Sequence, residues 1–191
     1  MGQPKVLALA GSTRSGSLNR RLVRVAAEGA QQTGAVVTLV ELADYPLPMF
    51  DQDLEARGTP QEAQALKQLF LEHDALLIAS PEYNSSITPV LKNALDWVSR
   101  SAEGEQPLAA YAGKVAAILA ASPGALGGLR GLVHLRAILS NIGVLVLPTQ
   151  IAVPKAHEAF TESGELKDAS LAERVRGLGS KLAEQTGKLK A

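Results

Sequence analysis

A turn rich in glycine and hydroxyl side chains, Gly11 to Asn19 (GSTRSGSLN), constrains the fold more than any other stretch. The apolar run before it, from Lys5 to Ala10, ends at a glycine and predicts a buried strand. The segment after it, from Arg20, repeats apolar residues at helical spacing. A turn between a strand and a helix aims backbone N–H groups and hydroxyls at one point, in front of the positive end of the helix. This arrangement suits a phosphate group.

The residues of the turn argue against two common phosphate motifs. Gly11 and Gly16 have the outer spacing of a P-loop, but Ser17 stands where the P-loop lysine belongs. The G-x-G-x-x-G of dinucleotide-binding folds is also absent from the turn. A hydroxyl-rich cradle with one arginine, Arg14, suits a terminal monophosphate. The alternative is a turn without a ligand, in which Ser17 or Asn19 serves only as the helix N-cap.

Composition excludes several classes of protein. The 191 residues suit one domain, predicted to span 1–191, and 19 basic residues balance 19 acidic ones. This neutrality does not favour a nucleic acid or a membrane surface as partner. The absence of cysteine excludes a thiolate metal site and thiol redox chemistry. No apolar run approaches the roughly 18 residues of a membrane span, and a cytoplasmic protein is expected.

Alternation of apolar strand candidates with helical stretches predicts a doubly wound α/β fold. Their two-sided hydrophobicity is typical of a parallel sheet covered on both faces. Five strands with one phosphate turn after the first favour a flavodoxin-like three-layer sandwich with the strand order 2-1-3-4-5. Ligands in that order lie at the carboxyl ends of strands one, three and four. The strand candidates are Val6–Ala10, Val36–Val40, Ala75–Ser80, Val115–Ala121 and Val144–Leu147.

The loops after strands three and four carry the other candidate site residues. In the first, Tyr83 next to Asn84 offers a flat ring beside amide donors and acceptors, which suits a planar heteroaromatic ligand. A ligand-free turn rich in proline and asparagine is the alternative. In the second, from Ser122 to Gly128, three glycines let the backbone approach a ligand and present N–H groups to it.

Other segments carry expectations about packing. Leu129–Ile142 is apolar nearly all round, which predicts a helix buried at a subunit interface that Trp97 and Val90 extend. Apolar residues between prolines in 43–53 are expected to cover a pocket or a neighbouring subunit. The stretch Gln150–Gly164 is expected to be an irregular connection. No metal site is predicted from the three histidines, because their spacing suggests none.

Three motifs in this order, GSTRSGSLN, PEYNSSITPVLKNALDWVSR and SPGALGGLR, closely resemble the NAD(P)H-dependent FMN reductase family. The nearest likeness is to its quinone and chromate reductase branch, and it extends from about Lys5 to Leu147. The resemblance implies a flavodoxin-like fold, bound FMN, NADH or NADPH as co-substrate and a homo-oligomer, either a dimer or a tetramer. It also implies a small-molecule acceptor such as a quinone, a free flavin, an azo compound or a metal oxyanion.

The resemblance also assigns residues. Ser12, Arg14, Ser17 and Asn19 would hold the FMN phosphate, and Ser122 with Gly124 would border the pyrimidine end of the ring. Tyr83 and Arg130 are candidate substrate contacts, and Val133 stands where some relatives carry a tyrosine near the acceptor. The full set of candidate cofactor residues is Ser12, Thr13, Arg14, Ser15, Gly16, Ser17, Leu18, Asn19, Pro81, Glu82, Tyr83, Asn84, Ser122 and Gly124.

The flavin would carry the chemistry, so no protein nucleophile or general base is required. A single exposed ring face predicts that NAD(P)H and the acceptor react in turn, in a ping-pong mechanism. Two alternatives stay open. One is a flavodoxin-like electron carrier without its own NAD(P)H turnover, and the other is a small phosphatase or nucleotide-binding module that uses the first turn alone.

Overall fold

Apolar segments form a parallel sheet with the strand order β2-β1-β3-β4-β5 in the computed structural model, which describes residues 2–190. This order confirms the predicted flavodoxin-like topology. Each predicted strand exists, although β3 ends one residue earlier and β5 is only two residues long. The strands are β1 (Lys5–Ala10), β2 (Val36–Val40), β3 (Ala75–Ala79), β4 (Val115–Ala121) and β5 (Leu145–Val146).

A sixth strand, β6 (Ile151–Val153), continues the edge of the sheet beside the second half of β4. The edge is split because Pro148, which has no N–H to donate, follows the last ladder bond from Leu147 N to Ala116 O. The expectation that Gln150–Gly164 is irregular was therefore wrong in two places. It contains β6 and a short helix, α6 (Ala156–Ala159).

Helices cover both faces of the sheet. Alternate strand residues point to opposite faces, and the residues on both faces are apolar. Val6, Ala8 and Ala10 pack under the layer formed by α1 and α7, whereas Leu7 and Leu9 pack under α3, α4 and α5. No helix within residues 2–190 is long and apolar enough to cross a membrane. The helices are α1 (Leu18–Gln32), α2 (Gln52–Glu55), α3 (Gln61–Glu72), α4 (Pro89–Val98), α5 (Leu129–Asn141), α6 and α7 (Ala169–Leu189).

Helices α1 and α7 approach each other closely through two glycines. A Cβ atom at Gly29 would lie 1.9 Å from Arg176 O, and one at Gly179 would lie 1.8 Å from Ala26 O. No side chain fits at either position, so the two backbones are in direct contact. This contact holds α1, and with it the turn at its amino end, against the last helix of the chain.

Helix α5 buries one side against its own subunit and exposes apolar residues on the other, and the subunit interface expected for Leu129–Ile142 stays a prediction. Leu132, Leu135 and Leu139 are fully buried against the sheet of the same chain, whereas Val133 is 58% exposed. The inward stripe is therefore covered within the subunit, whereas the outward residues are left for a partner to cover.

The expectation that Trp97 extends a subunit interface was wrong, because its ring is covered within its own subunit. Trp97 is 1% exposed, and its Nε1 donates to Pro48 O at 2.8 Å. Phe50 packs edge-on against the Trp97 ring with the centroids 5.0 Å apart. Part of the 43–53 segment is thus anchored on α4, whereas Met49 in the same segment is 71% exposed.

Candidate functional site

A cleft opens at the carboxyl edge of the sheet, where the loops after β1, β3 and β4 meet. This is the position at which winding reverses in a doubly wound sheet, as the strand order predicts. Its lining residues are Ser12, Arg14, Ser17, Leu18, Asn19, Pro81, Glu82, Tyr83, Ala121, Ser122 and Pro123.

Five candidate cofactor residues lie in the same three loops but outside this lining. Thr13 lines a neighbouring apolar depression together with Tyr45, and Ser15 lines a groove on the outer side of α1. The other three are Gly16, Asn84 and Gly124.

The turn before α1 forms a cradle of hydroxyls and N–H groups. Ser17 is the N-cap of α1, and its Oγ accepts from Arg20 N at 3.4 Å. Ser12 Oγ accepts from Arg14 N at 3.3 Å, and both serines are buried. The N–H groups in the first turn of α1 have no acceptor within the helix and lie at its positive end. The cradle therefore has the donors that an anionic oxygen needs.

Arg14 lies exposed at the rim of the cradle. Its Nη2 donates to Gly16 O at 2.9 Å, which folds the guanidinium back over the turn. A carbonyl is a weaker acceptor for a guanidinium than a phosphate, so a phosphate in the cradle would compete for this donor.

Asn19 lies deeper than the rest of the turn and is 3% exposed. Its Nδ2 donates to Ala121 O at 2.8 Å, and Ala121 N donates to its Oδ1 at 2.8 Å. The side chain assigned by resemblance to the phosphate is therefore bonded to the end of β4. Ser17, the other candidate N-cap, is the one that caps the helix.

Glu82 connects the loop after β3 to the first turn of α5. Its Oε1 lies 2.6 Å from Arg130 Nη2, and its Oε2 accepts from Gly131 N at 3.0 Å. Burial of this carboxyl acts to raise its pKa, but the bonds from Gly131 and Arg130 outweigh burial and lower the pKa below its ordinary value. Glu82 is therefore an anion that caps α5. Arg130 bonds this lining residue but lies outside the cleft lining, with much of its side chain exposed.

Tyr83 begins a tight turn that fixes its backbone and leaves its ring free. Tyr83 N donates to Ser86 O at 2.9 Å, and Ser86 N donates back to Tyr83 O at 3.0 Å. Asn84 and Ser85 both have positive φ, 50° and 67°, as a type I′ turn requires. The Tyr83 side chain is 57% exposed at the cleft, so its flat face is available to a ligand.

The loop after β4 is fastened to the segment that sequence reasoning treated as irregular. Ser122 N donates to Val153 O at 3.1 Å, and Ala156 N donates to Ser122 O at 3.0 Å. Gly127 N donates to Gly124 O at 3.2 Å. The N–H groups of Ser122 and Gly127 are thus already used, and the exposed part of the loop is 123–126.

Gly128 gives α5 its starting direction. Its φ is +91°, and a Cβ atom there would lie 2.6 Å from Ala120 Cβ. Only glycine fits such a close approach in this backbone conformation. The paired glycines immediately before an apolar helix were the signal for this packing in the sequence.

The histidines lie apart from the cleft or at its outer side. His73 is buried, with Nδ1 2.6 Å from Leu69 O and Nε2 2.7 Å from Thr38 Oγ1. His134 Nδ1 lies 2.9 Å from Ser86 Oγ, and His157 lies beside Glu158. Between residues 2 and 190, no group of three or more His, Asp or Glu side chains is placed to hold a metal ion.

The fold and the cleft together define a doubly wound α/β protein with flavodoxin strand order and an anion cradle at its switch point. Residues 4–158 match the model of the NADPH-dependent FMN reductase family, and the chain belongs to that family. This confirms the predicted family and the predicted class, an FMN-dependent oxidoreductase that uses NAD(P)H.

Individual relatives agree with this assignment. The chain is 38% identical to an NAD(P)H-dependent FMN reductase of Pseudomonas aeruginosa over 90% of its length and 89% of the relative's. It is 41% identical to an NADPH:quinone oxidoreductase of Arabidopsis thaliana over 90% and 86% of the two chains. Among solved structures, the flavoenzyme NAD(P)H:(acceptor) oxidoreductase FerB of Paracoccus denitrificans superposes with a TM-score of 0.80. That match has 28% identity and covers 97% of this chain and 98% of the other.

Proposed function

We propose that the cleft binds FMN by its phosphate and that the enzyme passes electrons from NAD(P)H to a quinone. The observation that carries the proposal is the cradle at the amino end of α1. Two buried serines and the first-turn N–H groups supply donors for a phosphate, and Arg14 supplies one positive charge. The turn contains neither the lysine that binds a γ-phosphate nor the G-x-G-x-x-G motif that binds a dinucleotide. A terminal monophosphate fits this donor set.

When bound, FMN accepts hydride from NAD(P)H and delivers the electrons to the acceptor. The residues of this chain bind it and set its surroundings. Ser12 and Ser17 would hold the phosphate, and Arg14 would turn from Gly16 O to a phosphate oxygen. Pro81 and Tyr83 would pack along the ring. The backbone N–H groups of Ala125 and Leu126 would face its pyrimidine end and offset negative charge there.

A quinone is the acceptor class that we favour. Relatives named as quinone reductases include that of Escherichia coli, which is 34% identical over 91% of this chain and 90% of the relative. The exposed ring of Tyr83 gives the cleft a flat, apolar surface that suits such a molecule. Free flavins, azo compounds and chromate are the other acceptors in the prediction. Family membership argues against an electron carrier and against a phosphatase.

The loops after β1, β3 and β4 would enclose the phosphate and one edge of the flavin and leave one ring face for both substrates. We therefore infer that NAD(P)H and the acceptor occupy the cleft in turn and that the kinetics are ping-pong. The exposed apolar side chains of Leu129 and Val133 on α5 support a homo-oligomer, either a dimer or a tetramer. That residues 1–191 form one domain, and that the protein is cytoplasmic, both stay predictions.

The purified protein tests this function by oxidation of NADPH, and separately of NADH, in the presence of FMN and a soluble benzoquinone. Acceptor-dependent turnover with parallel double-reciprocal lines supports the proposal. Turnover that is equally fast without added or bound flavin would contradict it. Titration with FMN and with riboflavin should also show tighter binding of FMN, because only FMN carries the phosphate.

A further inference from the structure

We infer that Asn19 is a positioning residue, which sets the distance between the phosphate cradle and the loop after β4 rather than binding the phosphate itself. This inference rests on the proposed FMN site. The observation behind it is the pair of 2.8 Å hydrogen bonds that join the Asn19 amide to the backbone of Ala121, across 102 residues of sequence.

The amide of Asn19 bonds the backbone of Ala121 at the end of β4, where β3 no longer provides a partner. β3 pairs with β4 only as far as Ala79 opposite Leu119, after which Ser80 N donates to Leu119 O at 2.9 Å. Ala121 lies two residues further and points its N–H and C=O to the same side as Leu119, because these directions alternate along a strand. β6 pairs with β4 on the opposite side. Asn19 therefore supplies the donor and the acceptor that a longer β3 would offer from two of its residues.

The position of Asn19 makes this bond a link between two walls of the cleft. Asn19 is the second residue of α1, two places after the N-cap Ser17. Ala121 is the last residue of β4 and immediately precedes Ser122, which lines the cleft. α1 itself packs on the sheet, but the Asn19 bonds tie its first turn to the start of the loop after β4. This side chain adds a direct link between the cradle and that loop to the packing of α1 on the sheet.

The geometry leaves Asn19 poorly suited to act as a phosphate ligand. It is 3% exposed, and both polar atoms of its amide are bonded to Ala121. Loss of the amide would leave the N–H and C=O of Ala121, itself 4% exposed, without these partners. The distance between the cradle and the loop would then be fixed less tightly. Every ligand that spans both walls would be affected, whether or not it carries a phosphate.

Two flavins separate positioning from phosphate binding, because riboflavin has the ring and lacks the phosphate. The test variant is Asn19→Ala, which adds no charge near the cradle, with Asn19→Ser as a milder second variant. Asn93→Ala is the matched control. Asn93 also bonds a loop through both amide atoms, accepting from Phe50 N at 2.8 Å and donating to Pro48 O at 2.9 Å, but it lies outside the cleft lining.

The measurement is the dissociation constant of FMN and of riboflavin for flavin-free protein, by quenching of flavin fluorescence. Circular dichroism establishes that each variant is folded at the temperature used. In Asn19→Ala both constants should rise about tenfold, as for a lost buried hydrogen bond, and their ratio should stay within about twofold of the unmutated value. Asn93→Ala should leave both constants unchanged. If Asn19→Ala does not fold, the same pattern is required of Asn19→Ser.

Two outcomes overturn the inference. If FMN binding weakens while riboflavin binding does not, Asn19 is a phosphate ligand. If both constants are unchanged in the folded variant and only its melting temperature falls, Asn19 is merely structural. Failure of the unmutated protein to bind either flavin would instead overturn the proposed function, and the two failures are therefore distinguishable.

Discussion

Arg130 Nη2 lies 2.6 Å from Glu82 Oε1, and this ion pair joins the loop after β3 to the first turn of α5. The other carboxylate oxygen of Glu82 accepts from Gly131 N, so one buried side chain serves both as an ion-pair partner and as a helix cap. Its neighbour Tyr83 presents its ring at the cleft. The ion pair therefore fastens the residue immediately before Tyr83 to α5.

Glu82→Gln should lower the free energy of unfolding by about 1–2 kcal/mol at pH 7, because a charged hydrogen-bond acceptor becomes neutral. The pKa of Glu82 in the folded protein is below the ordinary 4.5 of the unfolded chain. The contribution of its charge is therefore fully present above pH 4.5 and is lost as the pH falls through the folded-state pKa. Urea unfolding at several pH values measures this difference.

The exposed Glu173 provides the control for this prediction. Glu173→Gln should change the free energy of unfolding by less than about 0.5 kcal/mol at each of these pH values. A stability gap between the unmutated protein and Glu82→Gln that stays constant from pH 7 to well below 4.5 would show that the carboxylate charge does not matter.

Arg14→Ala should weaken FMN binding roughly 10- to 150-fold, because a charge-assisted bond to a phosphate contributes about 1.5–3 kcal/mol. Riboflavin binding should be unchanged, and so should stability, since Arg14 is exposed and bonds only a turn carbonyl. The exposed Arg57, outside the cleft lining, is the control. Fluorescence titration that gives less than about a twofold change for Arg14→Ala would mean that this side chain faces solvent in the complex.

Gly128→Ala should destabilise the flavin-free protein by about 2–4 kcal/mol, from a strained positive φ and a clash with Ala120 Cβ. Gly124→Ala is the matched control in the same loop. The new methyl group there meets only Ser122 Oγ at 3.6 Å, and stability should change by less than about 0.5 kcal/mol. Equal loss of stability in the two variants, by denaturant unfolding, would contradict the close packing at Gly128.

Val133→Glu should reduce assembly and leave the subunit folded, because Val133 is exposed on α5. Leu135→Glu should unfold the subunit instead, because Leu135 is fully buried against the sheet and a charge there has no partner. Sedimentation equilibrium at micromolar concentration compares the two. A monomeric mass for the unmutated protein, or an unchanged mass for Val133→Glu, would remove α5 from the interface.

The sheet was readable from the sequence because its central strands, β1, β3 and β4, are apolar runs buried on both faces. The cleft was also readable, since the strand order alone brings the loops after β1, β3 and β4 to one edge. β6, in contrast, could not be predicted, because a strand of three residues is too short to show a hydrophobic period.

Hydrogen bonds between segments distant in the chain could not be predicted from the sequence. Nothing in the turn itself indicates that Asn19 bonds Ala121, or that Glu82 caps a helix that begins 47 residues later. Burial was misjudged for the same reason. The ring of Trp97 is covered by Pro48 and Phe50 of its own chain, and composition does not say which neighbour covers a residue.

Anaerobic mixing of the FMN-loaded protein with NAD(P)H, followed by a quinone, tests the proposed electron transfer most directly. NAD(P)H alone should bleach the visible absorbance of the bound flavin, and the quinone added afterwards should restore it in full. Bleaching that occurs only when the quinone is already present would contradict reaction in turn at one open cleft. No bleaching by either NADH or NADPH would contradict the proposed function itself.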